Sequence, residues 1–359
     1  MSWIKNKLIS ILIILISCFL AFVLMELFLR ALNINSWENI AREAHILRNI
    51  EIKSDISKLY PSEEKFADYS LNEFGLRDNC KNTQEIEILT IGGSTTAQKN
   101  VPFKYTYQSV LEKRLKELYE GFGCVTNAGI DGHSTWGHLY SFKNWFSLIP
   151  DLRPKFVLLY IGINDVDLRT TNTPNSFDKS RLNSFNNYLK NFETIKSLLP
   201  IVRYFRQKFL NSEPQFARHI RSENSADKYI VPFLNYQTKK LSKLSSAAFK
   251  LRMIRILRYI EDLNSIPICV TQPHMYVMEK NGWEYGQPNI VSEGFSGLDF
   301  DFFIKEINSI ILELCGENTL NLYDHDFQSI HFYDGIHTTD KGSIEVGEEM
   351  ASFIISNFY

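Results

Sequence analysis

The sequence predicts an α/β protein: a three-layer α/β/α, flavodoxin-like architecture with a doubly wound parallel sheet of about five strands, preceded by one transmembrane helix. Three observations predict it. Short continuous apolar runs alternate with amphipathic stretches, which is the rhythm of strands buried on both faces by crossover helices. The runs end in glycine-rich turns, at the edge where open α/β sheets bind ligands. Ahead of all this stands "LISILIILISCFLAFVLMELFL" (Leu8 to Leu29), about 22 residues with Glu26 as the sole charge.

That first run spans roughly 33 Å as a helix, enough to cross a bilayer. It is longer than a signal-peptide core, and no small-residue cleavage site follows. "LISC" (Leu15 to Cys18) resembles a lipoprotein box that would lipidate Cys18, but the chain stays apolar beyond it, which favours an uncleaved anchor over residues 1–30. Lys5 and Lys7 concentrate positive charge before the run, so the N-terminus is expected in the cytoplasm and the rest outside it. Residues 31–84 read as a polar connector and lead-in segment containing "NEFGLRD" (Asn72 to Asp78).

The regular pattern begins near Glu85. Ile86 to Ile91 is the first expected strand. A helix with Leu111, Leu115 and Leu118 on one face follows. "CVTNAG" (Cys124 to Gly129) is the second strand and its turn. Ser134 to Ile149 is helical up to Pro150, and Lys155 to Asp165 holds the third strand. Residues of about 166–246 interrupt the rhythm as a helical insertion. From Val166 to Arg258 there are 18 Lys and Arg against 6 Asp and Glu. That excess is a solvated helical face, or else attraction to an anionic polymer or lipid headgroup. A helix from Ala247, a strand at Ile266 to Pro273, a helix through Phe303, Ile307, Ile310 and Leu314, a strand at Leu320 to Asp324 and a helix through Val346, Met350, Phe353 and Ile354 complete the pattern.

The 359 residues carry a net charge of −2, which gives no whole-chain argument for nucleic acid. Cys80, Cys124, Cys269 and Cys315 either pair in an oxidising compartment or stay as buried thiols. No cysteine spacing resembles a zinc site, and no cofactor or metal is expected.

Four segments converge on the ligand edge: Gly92-Gly93-Ser94, Asn127-Ala128-Gly129, Gly162-Ile163-Asn164-Asp165 and "YDGIHTTDKG" (Tyr333 to Gly342). Acyl transfer needs such a set. A serine hydroxyl is inert without a base in reach. His337 can be that base for Ser94, and Asp334 can bond its other nitrogen and fix the tautomer. The amides of Ser94 and Gly129 and the side chain of Asn164 can bind the negative oxygen of a tetrahedral intermediate. Plainer readings stand beside these: Ser94 as a capping turn residue, Gly129 as a conformational need, Asn164 as a turn cap, Asp165 as a surface carboxylate. His325, His331 and Asp324 lack the Asp-x-x-His spacing. His133, His138 and His274 either line the pocket or pack.

On these residues the chain resembles the SGNH hydrolases, or GDSL-like esterases and lipases, and among them the bacterial membrane-anchored members with a G-G-S-T-T first block. The resemblance spans roughly residues 70–359 without the insertion, so residues 85–359 would be the SGNH hydrolase domain. It implies Ser94, Gly129, Asn164 and His337 as the four block residues in order, with Asp334 as the triad acid. The first block departs from the family's usual Gly-Asp-Ser, with Gly93 in place of the aspartate. The implied activity is hydrolysis of a small acyl ester, such as acetyl, on an extracytoplasmic substrate. Transfer of that acyl group to a cell-surface saccharide is the alternative. A membrane-tethered, non-catalytic binding protein is the alternative of another class. Oligomeric state is not legible.

Overall fold

In the computed structural model of the chain, the structure describes residues 2–32, 37, 40, 44–166, 192, 194, 226–290 and 293–359. They fall into two units, one of residues 1–43 and 179–217 and the other of residues 44–178 and 218–359.

The first unit contains α1 (Ser2–Leu32). Its stretch Ile9–Arg30 is the one described helix long and apolar enough to cross a membrane. Glu26, the charge inside that stretch, is buried and fully engaged. It pairs with Arg30 at 2.7 Å and accepts from the amide and hydroxyl of Thr194 at 2.9 and 3.0 Å.

The second unit is built on a parallel five-stranded sheet of β3 (Ile86–Gly92), β4 (Cys124–Asn127), β5 (Phe156–Tyr160), β6 (Ile266–Val270) and β9 (Thr319–Leu320), in the order β4-β3-β5-β6-β9. The chain starts in the interior at β3, steps out to β4 and returns past β3 to β5. That reversal makes β3 and β5 the switch point, where a crevice opens at the carboxyl edge. The central strands read as mainly apolar, β5 throughout, because helices cover both faces. Ile88, Val125, Leu158 and Val270 pack with Leu111 and Leu115 of α3 (Tyr107–Leu118) and with Val346, Met350 and Ile354 of α7 (Asp340–Phe358). The helices of the other side are α4 (Thr135–Tyr140), α5 (Thr238–Asp262) and α6 (Gly297–Cys315), whose buried stripes include Phe249, Met253 and Ile256 on α5 and Phe303, Ile304 and Ile307 on α6.

Several elements depart from the sequence reading. The fifth strand is two residues long, because after Leu320 the chain turns and Leu322 drops into the core. Leu118 is exposed rather than part of the buried face of α3. The helix expected to Ile149 is α-helical only to Tyr140; it widens to a π-turn over Ser141–Trp145 and tightens at Phe146–Leu148. The third strand stops at Tyr160, and a 3-10 turn over Ile163–Asp165 carries the rest. Most of the basic insertion lies outside the described residues. Its end is described, and α5 begins at Thr238 rather than near Ala247.

Residues 44–84 fold with this second unit. β1 (Ile50–Asp55) and β2 (Phe66–Leu71) form an antiparallel hairpin, and Arg77 bridges to Asn127 at the end of β4. A second hairpin, β7 (Val277–Lys280) and β8 (Trp283–Gly286), packs on α6. The four cysteines are paired, Cys80 with Cys124 and Cys269 with Cys315.

Candidate active site

The β3 run ends at Gly92, and Ser94 opens the short helix α2 (Ser94–Ala97) behind it. The first residues of a helix have no intrahelical acceptor for their N–H groups. Among the described residues the Ser94 N–H accordingly has no partner, while the Thr96 and Ala97 amides turn back to the Gly93 carbonyl. A Cβ at Gly93 would press on the Asn164 side-chain amide, so an aspartate there would require Asn164 to move. Asn164 comes from the turn after β5, beside Ser94, with Nδ2 donating to the His133 carbonyl at 3.1 Å and a second N–H to spare.

His337 arrives from the far end of the chain. Its Nε2 lies 2.8 Å from Ser94 Oγ and its Nδ1 lies 2.7 Å from Asp334 Oδ2. The loop is self-bracing. Asp334 Oδ1 accepts from the amides of Ile336 and His337 at 2.8 and 2.7 Å, and the Tyr333 amide donates to the His337 carbonyl at 3.0 Å. Burial pushes the Asp334 carboxyl up, but the His337 ring and the two amides outweigh it and hold it below the usual carboxylate range. Asp334 is thus an anion facing Nδ1, which makes Nε2, 2.8 Å from Ser94 Oγ, the nitrogen that can accept the serine's proton. Rings support the base from one side. Tyr333 stacks on His337 at 5.6 Å between centroids, Tyr60 stacks on Tyr333 at 5.6 Å, and Tyr60 Oη donates to the Asn100 carbonyl at 2.7 Å.

Gly129 does not fit the role expected of it. Its N–H donates to Asn127 Oδ1 at 2.8 Å, so the amide is spent inside its own turn. Three residues on, Gly132 sits at φ +76°, a conformation that favours glycine, and its N–H has no acceptor among the described residues. Gly132 directly follows Asp131, which lines a cavity of about 10 Å³ together with Ser94, Thr95, Tyr333 and His337. That is room for one water molecule. Lys99 and Asp131 close one side of it with an ion pair of 2.6 Å. A larger cavity of about 550 Å³, lined by Arg77, Phe103, Gln108 and Glu112 among others, holds no triad residue.

The remaining sequence candidates resolve to other roles. Asp165 is buried, not a surface carboxylate; it accepts from the Thr135 amide and hydroxyl and pairs with Arg252 at 3.1 Å. Burial raises its pKa despite that arginine. His274 bonds Asp301 at 3.1 Å, and Asp324 is held by Asn321 at 2.5 Å. His133 and His138 are buried with their rings 5.7 Å apart, and the His133 Nε2 lies 2.8 Å from the Ala44 carbonyl. His331 bonds within its own turn. His325 pairs with Glu345 at 3.0 Å, and with Glu349 nearby these form a partly exposed His/carboxylate group that sequence spacing did not reveal. Sequence reasoning singled out neither Gly132 nor Tyr60, and named Tyr333 only as the start of the segment that carries His337. The doublet of glycines in "NAGIDG" (Asn127 to Gly132) carried the only signal for the first, and nothing local marked Tyr60.

No family model matches this chain, and no curated protein does. Solved structures do share its outline. A member of the lipolytic protein G-D-S-L family from Veillonella parvula is 14% identical over 76% of this chain and 98% of its own, with a TM-score of 0.39. A psychrotrophic esterase from Pseudoalteromonas is 14% identical over 75% of this chain and 96% of its own, at 0.38. A lipase from a goat rumen metagenome is 9% identical over 75% and 97%, at 0.43.

Proposed function

We propose that the chain is a serine esterase of the SGNH hydrolase type, with Ser94 as nucleophile, His337 as base and Asp334 as the acid that orients it. One observation carries the reading: the continuous line Ser94 Oγ, His337 Nε2, His337 Nδ1, Asp334 Oδ2, with links of 2.8 and 2.7 Å between groups from opposite ends of the unit. A binding protein has no need for that line.

The chemistry follows from the geometry. Ser94 Oγ attacks the ester carbonyl carbon as His337 Nε2 takes its proton. The carbonyl oxygen becomes an anion, met by the Ser94 N–H and the free N–H of Asn164, with Gly132 in place of Gly129 as the third donor. The carbon–oxygen bond to the leaving group breaks, and His337 returns the proton to that alkoxide. A water molecule then loses a proton to His337 and attacks the acyl-serine, which frees Ser94 and releases the acid. The apolar run of residues 8–29, with Lys5 and Lys7 before it, supports a membrane-anchored enzyme working outside the cytoplasm. The paired cysteines favour the same side.

The test is turnover of p-nitrophenyl acetate by the full chain in detergent. Wild type is expected to hydrolyse it, and Ser94→Ala to lose about 10⁶-fold in kcat. A folded Ser94→Ala protein with wild-type turnover would remove Ser94 from the reaction.

A further inference from the structure

Fully buried arginines ordinarily face a carboxylate. Arg77 is 2% exposed and among the described residues pairs with none. Its hydrogen bonds all go to main-chain carbonyls. Nη1 donates to Ala97 and Gln98 at 3.1 and 2.9 Å, and Nη2 donates to Asp68 and Val101 at 2.7 and 3.0 Å. Tyr69 and Phe103 present ring faces to the guanidinium at 5.1 and 5.6 Å. Burial lowers its pKa to about 10, so it remains a cation at neutral pH.

Ala97, Gln98 and Val101 form the exit of the helix that Ser94 opens. Gln98 is bent there into the left-handed region, at φ +47°. Its carbonyl is held by Arg77, and its side-chain amide donates to Thr338 Oγ1 at 3.0 Å and Ser343 Oγ at 2.8 Å. Thr338 follows His337. The main chain of Arg77 also pairs with Asn127, whose side chain donates to the Thr96 carbonyl at 2.7 Å. A single guanidinium thus holds the nucleophile turn directly and reaches the base through one glutamine.

We propose that Arg77 is a positioning residue for the Ser94–His337 pair, acting through the carbonyls of Ala97 and Gln98; the proposal rests on the esterase reading above. A lysine cannot replace it, because one ammonium has three donors and no planar fork to span four carbonyls. A shift of the turn by a fraction of an ångström lengthens the Oγ–Nε2 contact without touching the substrate's contacts. The effect therefore belongs in kcat, not in KM.

The experiment compares Arg77→Lys with Ile354→Ala, a core truncation on α7 that touches none of these groups, in the full chain and at temperatures chosen so that both lose equal melting margin. Arg77→Lys is expected to lower kcat for p-nitrophenyl acetate about 10- to 100-fold, with a parallel fall in the rate of fluorophosphonate labelling and KM within about threefold of wild type. The shape of the pH profile stays as in wild type, since the base itself is untouched. Ile354→Ala keeps wild-type kcat. Wild-type kcat in Arg77→Lys, or a loss equal to that of Ile354→Ala, overturns the proposal. Should Arg77→Lys not fold, Phe103→Leu keeps the guanidinium but removes one ring beside it; a drop in kcat of several-fold is expected, and wild-type kcat overturns the proposal. An inactive, unlabelled wild type would instead bring down the esterase reading itself.

Discussion

A serine hydroxyl, an imidazole and a carboxylate are ordinary side chains until they are held in line. Ser94 is held by a turn that leaves its N–H free, and His337 by a loop whose carboxylate is also the acceptor for two loop amides. Asp334 therefore does two jobs, and Asp334→Asn tests the electrostatic one. The amide can still accept from the loop but can hold the ring in the wrong tautomer, so kcat for an activated ester is expected to fall about 10⁴-fold while the fold survives. Unchanged turnover would take Asp334 out of the site. The proposed triad could be read from the sequence because its acid and base lie three residues apart and its serine follows a strand and two glycines. For the oxyanion glycine the sequence pointed to Gly129, and no pattern announces that the side chain of Asn127, two residues earlier, folds back onto that amide. Arg77 stood out only as part of a lead-in motif, since its carbonyl partners at Ala97, Gln98 and Val101 lie 20 to 24 residues away in the chain.

Elements were legible where apolar periodicity is long. The four longer strands of the sheet and the helices that cover it follow from burial on both faces. β9 was overread because a strand of two residues carries no period, and the π-widened end of α4 because helical periodicity does not distinguish its turns. Two features at this scale make predictions. Each disulfide closes a loop of about 45 residues, Cys80 tying the lead-in to β4 and Cys269 tying β6 to the end of α6. On the chain-entropy model each contributes about 4 kcal/mol. The double substitution Cys80→Ser with Cys124→Ser is expected to lower the urea midpoint clearly, and an unchanged midpoint would mean the pair does not form. At the start of α4, burial pulls the His133 pKa down to about 4 despite its bond to the Ala44 carbonyl, and burial together with the His133 ring pulls that of His138 well below the usual imidazole value. Both are neutral when folded, whereas an unfolded imidazole takes a proton near pH 6.5. Their contribution is complete above that pH and is lost as pH falls through it, by about 2 kcal/mol for His133 between pH 7 and 5. Asp334, with its lowered pKa, acts in the same sense, but its contribution is complete above about pH 4 and is lost only as pH falls below that, outside this window. Melting of the wild type is therefore expected at lower temperature at pH 5 than at pH 7, and equal melting would contradict the neutral buried pair.

The whole molecule joins an apolar N-terminal helix to an α/β unit whose reactive edge is assembled from both ends of its chain. Residues 44–84, polar and without period, give no sign in the sequence of the hairpin and ring stack by which they brace the site. The proposed anchoring through residues 8–29 implies a topology that can be read directly: a phosphatase fused to the C-terminus is expected to be active, and a reporter that works only in the cytoplasm to be silent. The reverse would place the site inside the cell. The central claim is that Ser94 is a nucleophile activated by His337. Treating the full chain with a fluorophosphonate and locating the adduct by peptide mass spectrometry tests it most directly. One adduct is expected, on Ser94, absent from Ser94→Ala and formed far more slowly in His337→Ala. Modification of another residue, or labelling of Ser94 at the same rate without His337, would contradict it.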